Sequence, residues 1–216
     1  AVFASFWERT ARRRLTDPTC TVKGLLCECL GEQGRLPAAD LEGKELPPRL
    51  AAVLQRADFE LGRYQEEALL HPRPEILRAL ETLQRAGYRL GLLSNADERE
   101  VRAWSRSPLA KFIPAPCFSC QCGYVKPEPA AFQQAARLLG LSSGECAFVG
   151  NGGANELLGA RQVGFALVIF MRWFVDRNGL YSQEKLEEFA AQADLAVADF
   201  EELTRVLGAA VSPRGG

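Results

Sequence analysis

From about residue 75 onward, short apolar runs alternate with segments whose apolar residues recur every three to four positions. "PEILRALETLQRAGY" sets Ile76, Leu77, Leu80 and Leu83 on one helical face, with Pro74 at its start and Gly87 at its stop. "RLGLLSNA" (89–96) follows as a short buried strand, and "DEREVRAWSRSPLAKF" reads as helix as far as Pro108. "APCFSC" (115–120) is a second strand, and "PEPAAFQQAARLLG" a helix with Pro127 near its start and Gly140 at its end. Strands at "ECAFVG", "FALVIF" and "DLAVA" then alternate with helices at "NELLGARQVG", "SQEKLEEFAAQ" and "DFEELTRVLG", the last capped by Asp199. This rhythm predicts a Rossmann-like, three-layer α/β fold, in which a parallel sheet is covered by helices on both faces.

Residues 1–74 lack the alternation. "VFASFWERTARRRL" places Val2, Phe3, Phe6, Trp7, Ala11 and Leu15 on roughly one helical face. "TVKGLLCECLGEQG" and "LPPRLAAVLQRADFELGRYQEEALL" read as further helices, with Pro and Gly between them. The expectation is a small helical subdomain over residues 1–74 ahead of an α/β core over 75–216, with "SPRGG" as a frayed tail.

Composition narrows the function classes. The chain is 216 residues long and 47% apolar, enough to bury a core. Its 26 basic and 27 acidic side chains leave a net charge of −1, which gives no electrostatic case for nucleic acid or an anionic membrane. The triplet Arg12-Arg13-Arg14 reads as a solvated helix face. The most apolar stretch, "FALVIFMRWF" (165–174), is broken by Arg172 and is far short of the ~20 residues of a membrane span. Seven cysteines with no even framework, and no leader pattern, predict a reducing, cytoplasmic setting. Oligomeric state has no readable signal. Cys117, Cys120 and Cys122 in "CFSCQC" would supply three thiols to zinc, but closed sites take four ligands and the single histidine, His71, is distant. The structural reading of these cysteines ranks first. The chain opens with Ala1 and its one methionine is Met171, so it is expected to be processed, cut or incompletely framed.

Ligands of parallel sheets bind beyond the carboxyl ends of the strands, and three such ends carry candidate chemistry. Ser94 and Asn95 close the strand "LGLL"; a hydroxyl and nearby backbone N–H groups bind an oxyanion, or simply cap a helix. Lys126 in "GYVKPEPAAF" stands just before a helix; it can neutralise a phosphate or a carboxylate, or be an ordinary loop lysine. In "VGNGGANELLGA" the glycines permit a tight turn, and Glu156 can reach back from the helix as a Mg²⁺ ligand or base.

In order and spacing, "LLSNA", "VKPEP" and "VGNGGANELLGA" resemble the second, third and fourth motifs of the haloacid dehalogenase-like hydrolase superfamily. The preceding helices are similar to the cap of the subfamily of phosphoglycolate phosphatases and haloacid dehalogenases, where it lies between motifs one and two. The resemblance runs over about residues 1–207. It implies a cytoplasmic, Mg²⁺-dependent phosphomonoester hydrolase acting on a small phosphorylated substrate through an aspartyl-phosphate. Ser94 and Asn95 would bind the transferring group and Lys126 would offset its charge, with Asn151 and Glu156 at the metal.

The sequence departs from that pattern twice. No Asp-x-Asp motif occurs anywhere in the 216 residues, so the nucleophile and the first core strand are expected to be missing, and the chain as given to be inactive. In the family that strand is central, and losing it leaves two rows of unpaired backbone groups. Asn151 stands where the family has a metal-binding aspartate, which weakens any Mg²⁺ site. The competing expectation is a catalytically silent binding or regulatory protein on the same fold.

Overall fold

A computed structural model of the chain describes residues 9–17, 20–35, 46–179 and 181–211. Among these residues three helices come first: α1 (Ala11–Thr16), α2 (Val22–Glu32) and α3 (Pro48–Leu70). The alternating part follows as α4 (Pro74–Arg85), β1 (Leu93–Ser94), α5 (Glu98–Val101), β2 (Cys117–Phe118), α6 (Ser119–Cys122) and α7 (Pro129–Leu138). It continues through β3 (Ala147–Gly150), α8 (Glu156–Gln162), β4 (Leu167–Met171), α9 (Trp173–Asn178), α10 (Gln183–Gln192), β5 (Leu195–Val197) and α11 (Phe200–Val211). The expected face of Val2, Phe3, Phe6 and Trp7 and the tail 212–216 lie outside the described residues.

The apolar run around residue 168 becomes the central strand of a parallel sheet in the order β3-β4-β5. Because side chains alternate along a strand, Val168 and Phe170 face one layer, where they meet Phe132 of α7, Leu157 and Ala160 of α8, and Phe189 of α10. Ile169 and Met171 face the other, against Leu83 of α4 and Leu203 and Leu207 of α11. A strand buried on both faces has no polar position to spare, which is why this stretch reads as a continuous apolar run. The strand ends at Met171 and α9 begins at Trp173, so the apolar stretch 165–174 is a strand followed by a helix. Asp199 caps α11 as expected, its Oδ1 accepting from Glu202 N at 2.8 Å.

The other strands are shorter than the apolar runs that predict them. Among the described residues β1 pairs only with β2, in parallel, through two residues on each strand. The expected second strand gives way at Ser119, whose hydroxyl turns inward, accepting from Ala96 N at 3.0 Å and donating to Ala96 O at 3.1 Å. The expected helix after residue 97 is one turn of α5 and a 3₁₀ turn at Trp104–Arg106. It stops because Pro108 holds the preceding Ser107 extended, with ψ 139°.

Among the described residues the sheet is in two pieces, β1-β2 and β3-β4-β5, and a cavity of about 790 Å³ separates them. Leu92 and Leu93 line it from one side and Phe148 and Val149 from the other. This opening explains why two apolar strands are less buried than their sequences predict. Leu90, Leu92 and Leu93 are half-buried, and Val149 is 37% exposed.

Candidate active site

Lys126 and Glu156, thirty residues apart in sequence, meet at the carboxyl ends of the strands. Lys126 Nζ lies 2.6 Å from Glu156 Oε2, and both side chains are largely withdrawn from solvent. The other carboxylate oxygen, Oε1, accepts from the backbone N–H groups of Asn151 at 2.7 Å and Gly152 at 3.2 Å. Glu156 is the first residue of α8, so its side chain reaches back over the turn that follows β3. A buried carboxylate is tolerated when paired and hydrogen-bonded, and this one is both.

The glycines of the turn have separate tasks. A Cβ on Gly150 would stand 2.5 Å from Glu156 Oε1 and 2.7 Å from the Phe148 ring, so glycine is what lets the carboxylate in. Gly152 has φ +90° and its missing Cβ would lie 2.5 Å from the Phe189 ring. Ala154 and Asn155 also take positive φ, 52° each, a conformation uncommon outside glycine and asparagine.

Lys126 is held by its backbone as well. Its N–H donates to Asn95 Oδ1 at 2.7 Å, and Asn95 Nδ2 donates to Lys126 O at 3.0 Å. The amide side chain after β1 thus clamps the loop that carries the lysine, and the Lys126-Pro127 peptide is cis. Asn95, expected to touch substrate, is occupied in this clamp. Ser94, the last residue of β1, is half-buried, and its hydroxyl has no hydrogen-bond partner among the described residues. An ammonium has three donors, of which Glu156 takes one, so Lys126 keeps donors for a ligand.

The metal reading can be tested against these bonds. Asn151 Oδ1 accepts from Gly153 N at 3.1 Å, and both Glu156 oxygens are engaged. Mg²⁺ is held through one or two carboxylates plus waters. Here the single carboxylate is already neutralised by Lys126 and its neighbour is an uncharged amide. Asn151 and Glu156 by themselves therefore do not make a fitting Mg²⁺ cage, and no catalytic step is derived through the ion. Cys117, Cys120 and Cys122 do not form a metal cluster; among the described residues no three His, Cys, Asp or Glu side chains converge. All seven cysteines are free.

Two contributors were hidden from sequence reasoning, Ser119, described above, and Asp97, while Gly150 was legible as part of a tight turn but not as the opening that admits the Glu156 carboxylate. Asp97 caps α5, its Oδ1 accepting from Arg99 N at 3.0 Å and Glu100 N at 3.2 Å, while Arg99 pairs with Oδ2 at 2.7 Å. The spacing Asp97 to Glu100 is a capping-box signal that would have marked it. Burial pushes this carboxyl up, but the Arg99 hydrogen bond and charge, with the two N–H donors, bring it below its usual 3.8. A depressed carboxyl contributes stability above its unfolded value and loses it as pH falls through the folded value. The expected result is that acid unfolding of Asp97→Asn depends less steeply on pH below about 4 than that of the native protein. Parallel urea titrations at stepped pH, followed by circular dichroism, would measure this; equal pH dependence would refute the assignment.

A family model described as haloacid dehalogenase-like hydrolase matches residues 28–164. The chain belongs to that family. Curated relatives include a glyceraldehyde 3-phosphate phosphatase of Methanothermobacter thermautotrophicus, 30% identical over 123 residues, covering 52% of this chain and 54% of the relative. Another, of Methanopyrus kandleri, carries the same name and is 29% identical over 135 residues, covering 60% of this chain and 54% of the relative. The matches thus span about half the length of each relative. A dehalogenase crystal structure aligns with TM-score 0.56 at 24% identity, over 95% of this chain and 79% of that one. A phosphatase of the same family from Thermococcus onnurineus gives 0.53 at 19% identity, over 95% and 91%. These two structures establish the fold, a haloacid dehalogenase-like α/β core with parallel strands.

Proposed function

We propose that this chain carries the phosphate-binding half of a phosphomonoester hydrolase and lacks the nucleophile. The observation that supports it is the Lys126–Glu156 pair, fixed from two sides by Asn95 and by the Asn151 and Gly152 N–H groups. Lys126 would contact a phosphoryl oxygen with its remaining donors, and the Ser94 hydroxyl, without a partner among the described residues, would bind a second. Glu156 would hold the lysine in place, and the part of the chain that carries α1, α2 and α3 would act as a cap that selects a small phosphorylated substrate. The curated phosphatase relatives point to a phosphoryl, not a carbon–halogen, bond as the target. Seven free cysteines fit a reducing, cytoplasmic compartment.

In the full reaction an aspartate oxygen bonds to phosphorus while the ester P–O bond breaks and the leaving alkoxide takes a proton from a second acid. Water then attacks the aspartyl-phosphate, releasing inorganic phosphate and restoring the carboxylate. No Asp-x-Asp in this sequence can supply those two acids. Mg²⁺ would need carboxylates beyond Asn151 and Glu156. Purified 1–216, offered glyceraldehyde 3-phosphate and other phosphomonoesters with Mg²⁺, is therefore expected to release no more phosphate than its Lys126→Ala variant. Mg²⁺-dependent release that disappears in Lys126→Ala would overturn this.

A second reading has its own support. A lysine and a glutamate that cancel each other beside an uncharged Asn151 suit a silent binding module as well as a weakened enzyme. The two separate on whether an added nucleophile yields turnover.

A further inference from the structure

The stretch "CFSCQC" sets Cys117, Cys120 and Cys122 close together in sequence, and the fold gives them different surroundings. Cys117 and Phe118 are adjacent in β2, so their side chains leave on opposite faces. Phe118 and Cys120 pack into one apolar cluster with Ala96 and Val101. Cys117 lies outside that cluster and is 1% exposed. The single turn of α6 then brings the chain back, closed by Gly123 N donating to Ser119 O at 2.9 Å with Gly123 at φ +79°. That turn returns Cys122 to Cys117, and the two thiols are hydrogen-bonded to each other.

The direction of that bond follows from the number of donors. Cys122 Sγ donates to the Tyr124 carbonyl oxygen at 3.6 Å, and a thiol has a single hydrogen to give. Cys117 is therefore the donor between the two sulfurs and Cys122 the acceptor. Burial, then the hydrogen bond and charge of Cys122, push the Cys117 thiol up to about 12, so it keeps its proton at neutral pH. Cys120 is pushed up to about 11, again mainly by burial. Cys122 differs from both in access: it is half-buried where they are buried, and its neighbour Tyr124 is 39% exposed. An oxidant arriving from solvent meets Cys122 first and finds a second sulfur in contact behind it.

We propose that Cys117 and Cys122 form a dithiol modification site, which a hydroperoxide closes to an intramolecular disulfide. In the first step the Cys122 thiolate bonds to one peroxide oxygen and the O–O bond breaks. The leaving oxygen takes up the proton that the thiol gave up, and Cys122 becomes a sulfenic acid. In the second step the Cys117 sulfur attacks the Cys122 sulfur, the S–O bond breaks, and the Cys117 proton leaves with the hydroxyl as water. The two thiols together lose two electrons and two hydrogens, and the peroxide gains them. Hydrogen-bonded sulfurs need only close to about 2.05 Å for the new bond. A pair that is reduced at rest and oxidised on demand suits a reducing compartment, where disulfides serve sensing more than structure. Zinc is the poorer occupant, because two thiols fall short of four ligands and Cys120 packs into the apolar cluster. The site uses neither Lys126 nor Glu156 and is independent of the hydrolase reading.

The probe is hydrogen peroxide, added in small molar excess to the reduced 216-residue chain with a chelator present. N-ethylmaleimide then blocks the remaining thiols, and tryptic peptides are mapped by mass. Cleavage after Lys111 and Arg137, with Lys126 shielded by Pro127, leaves Cys117, Cys120 and Cys122 on one peptide. That peptide is expected to lack two hydrogens and to carry a single maleimide, on Cys120; dithiothreitol added before the maleimide is expected to restore labelling of all three. Cys117→Ser is expected to leave Cys122 as a sulfenic acid that dimedone traps, because the resolving sulfur is gone. Cys122→Ser is expected to slow oxidation of Cys117 about tenfold or more, since a buried, protonated thiol reacts poorly. Cys120→Ser is expected to leave the disulfide yield unchanged. A link through any other cysteine would overturn the proposal, as would three maleimides after peroxide or a sulfinic acid at Cys122 with no link. Equal oxidation of Cys117 in Cys122→Ser would overturn the order of the two steps and the proposal with it. The map of the native chain decides on its own whether the pair closes, so the answer does not depend on any variant folding.

Discussion

Glu156→Ala is expected to lower the stability of the chain by about 3–5 kcal/mol, a large part of the ~5–15 kcal/mol that holds a domain of this kind together. The reason is arithmetic of partners. Glu156 is 5% exposed, neutralises Lys126 and satisfies two backbone donors of the turn after β3. Removing its carboxylate leaves a withdrawn ammonium without its counter-charge and two N–H groups without an acceptor. Glu156→Gln keeps an acceptor for the turn and loses only the charge, so it is expected to fall between. The double variant Lys126→Ala/Glu156→Ala is expected to be no worse than Glu156→Ala alone, because no orphan charge remains. Urea midpoints for the four proteins give the comparison. A Glu156→Ala midpoint equal to that of the native chain would mean the pair is not the anchor described.

Phe132→Ala is the second large effect, also about 3–5 kcal/mol. The ring is fully buried and makes edge contacts with Phe148 at 5.4 Å and Phe165 at 6.1 Å between centroids. Gly159 of α8 lies directly on it; a Cβ there would come within 2.7 Å of the ring. This packing sets how closely α7 and α8 approach. Lys126 precedes the first and Glu156 opens the second, so a cavity at Phe132 loosens their separation as well as the core. Phe132→Leu, which refills most of the space, is expected to cost less than half as much. Loss of stability without any loss of oxyanion binding would show that the core and the site are independent.

Much of this was legible in the chain. The alternation after residue 75 located the parallel strands and their helices, because a strand buried on both faces must be apolar throughout, as "FALVIF" is. Lys126 and Glu156 were legible as types of residue at strand ends, and their meeting was not. Contact across thirty residues depends on Gly150 having no Cβ and on Phe132 packing against Gly159, and neither leaves a periodic trace. Asn95 read as a ligand contact because an amide side chain after a strand is chemically open, while its clamp on the Lys126 backbone is a tertiary fact. Strand lengths were overestimated for β1 and β2 because apolar runs record what a sheet is built to bury, and here one edge of β1 faces a cavity.

The central claim is that Lys126 stands ready for a phosphate-like oxyanion. Isothermal titration of the 216-residue chain with tungstate, in parallel with a Lys126→Ala variant of matched far-ultraviolet circular dichroism, tests it most directly. The account predicts saturable one-to-one binding by the native chain and affinity reduced about tenfold or more in the variant, the loss of one charge-assisted contact. Equal affinity in both proteins, or no binding to the native chain, would contradict it.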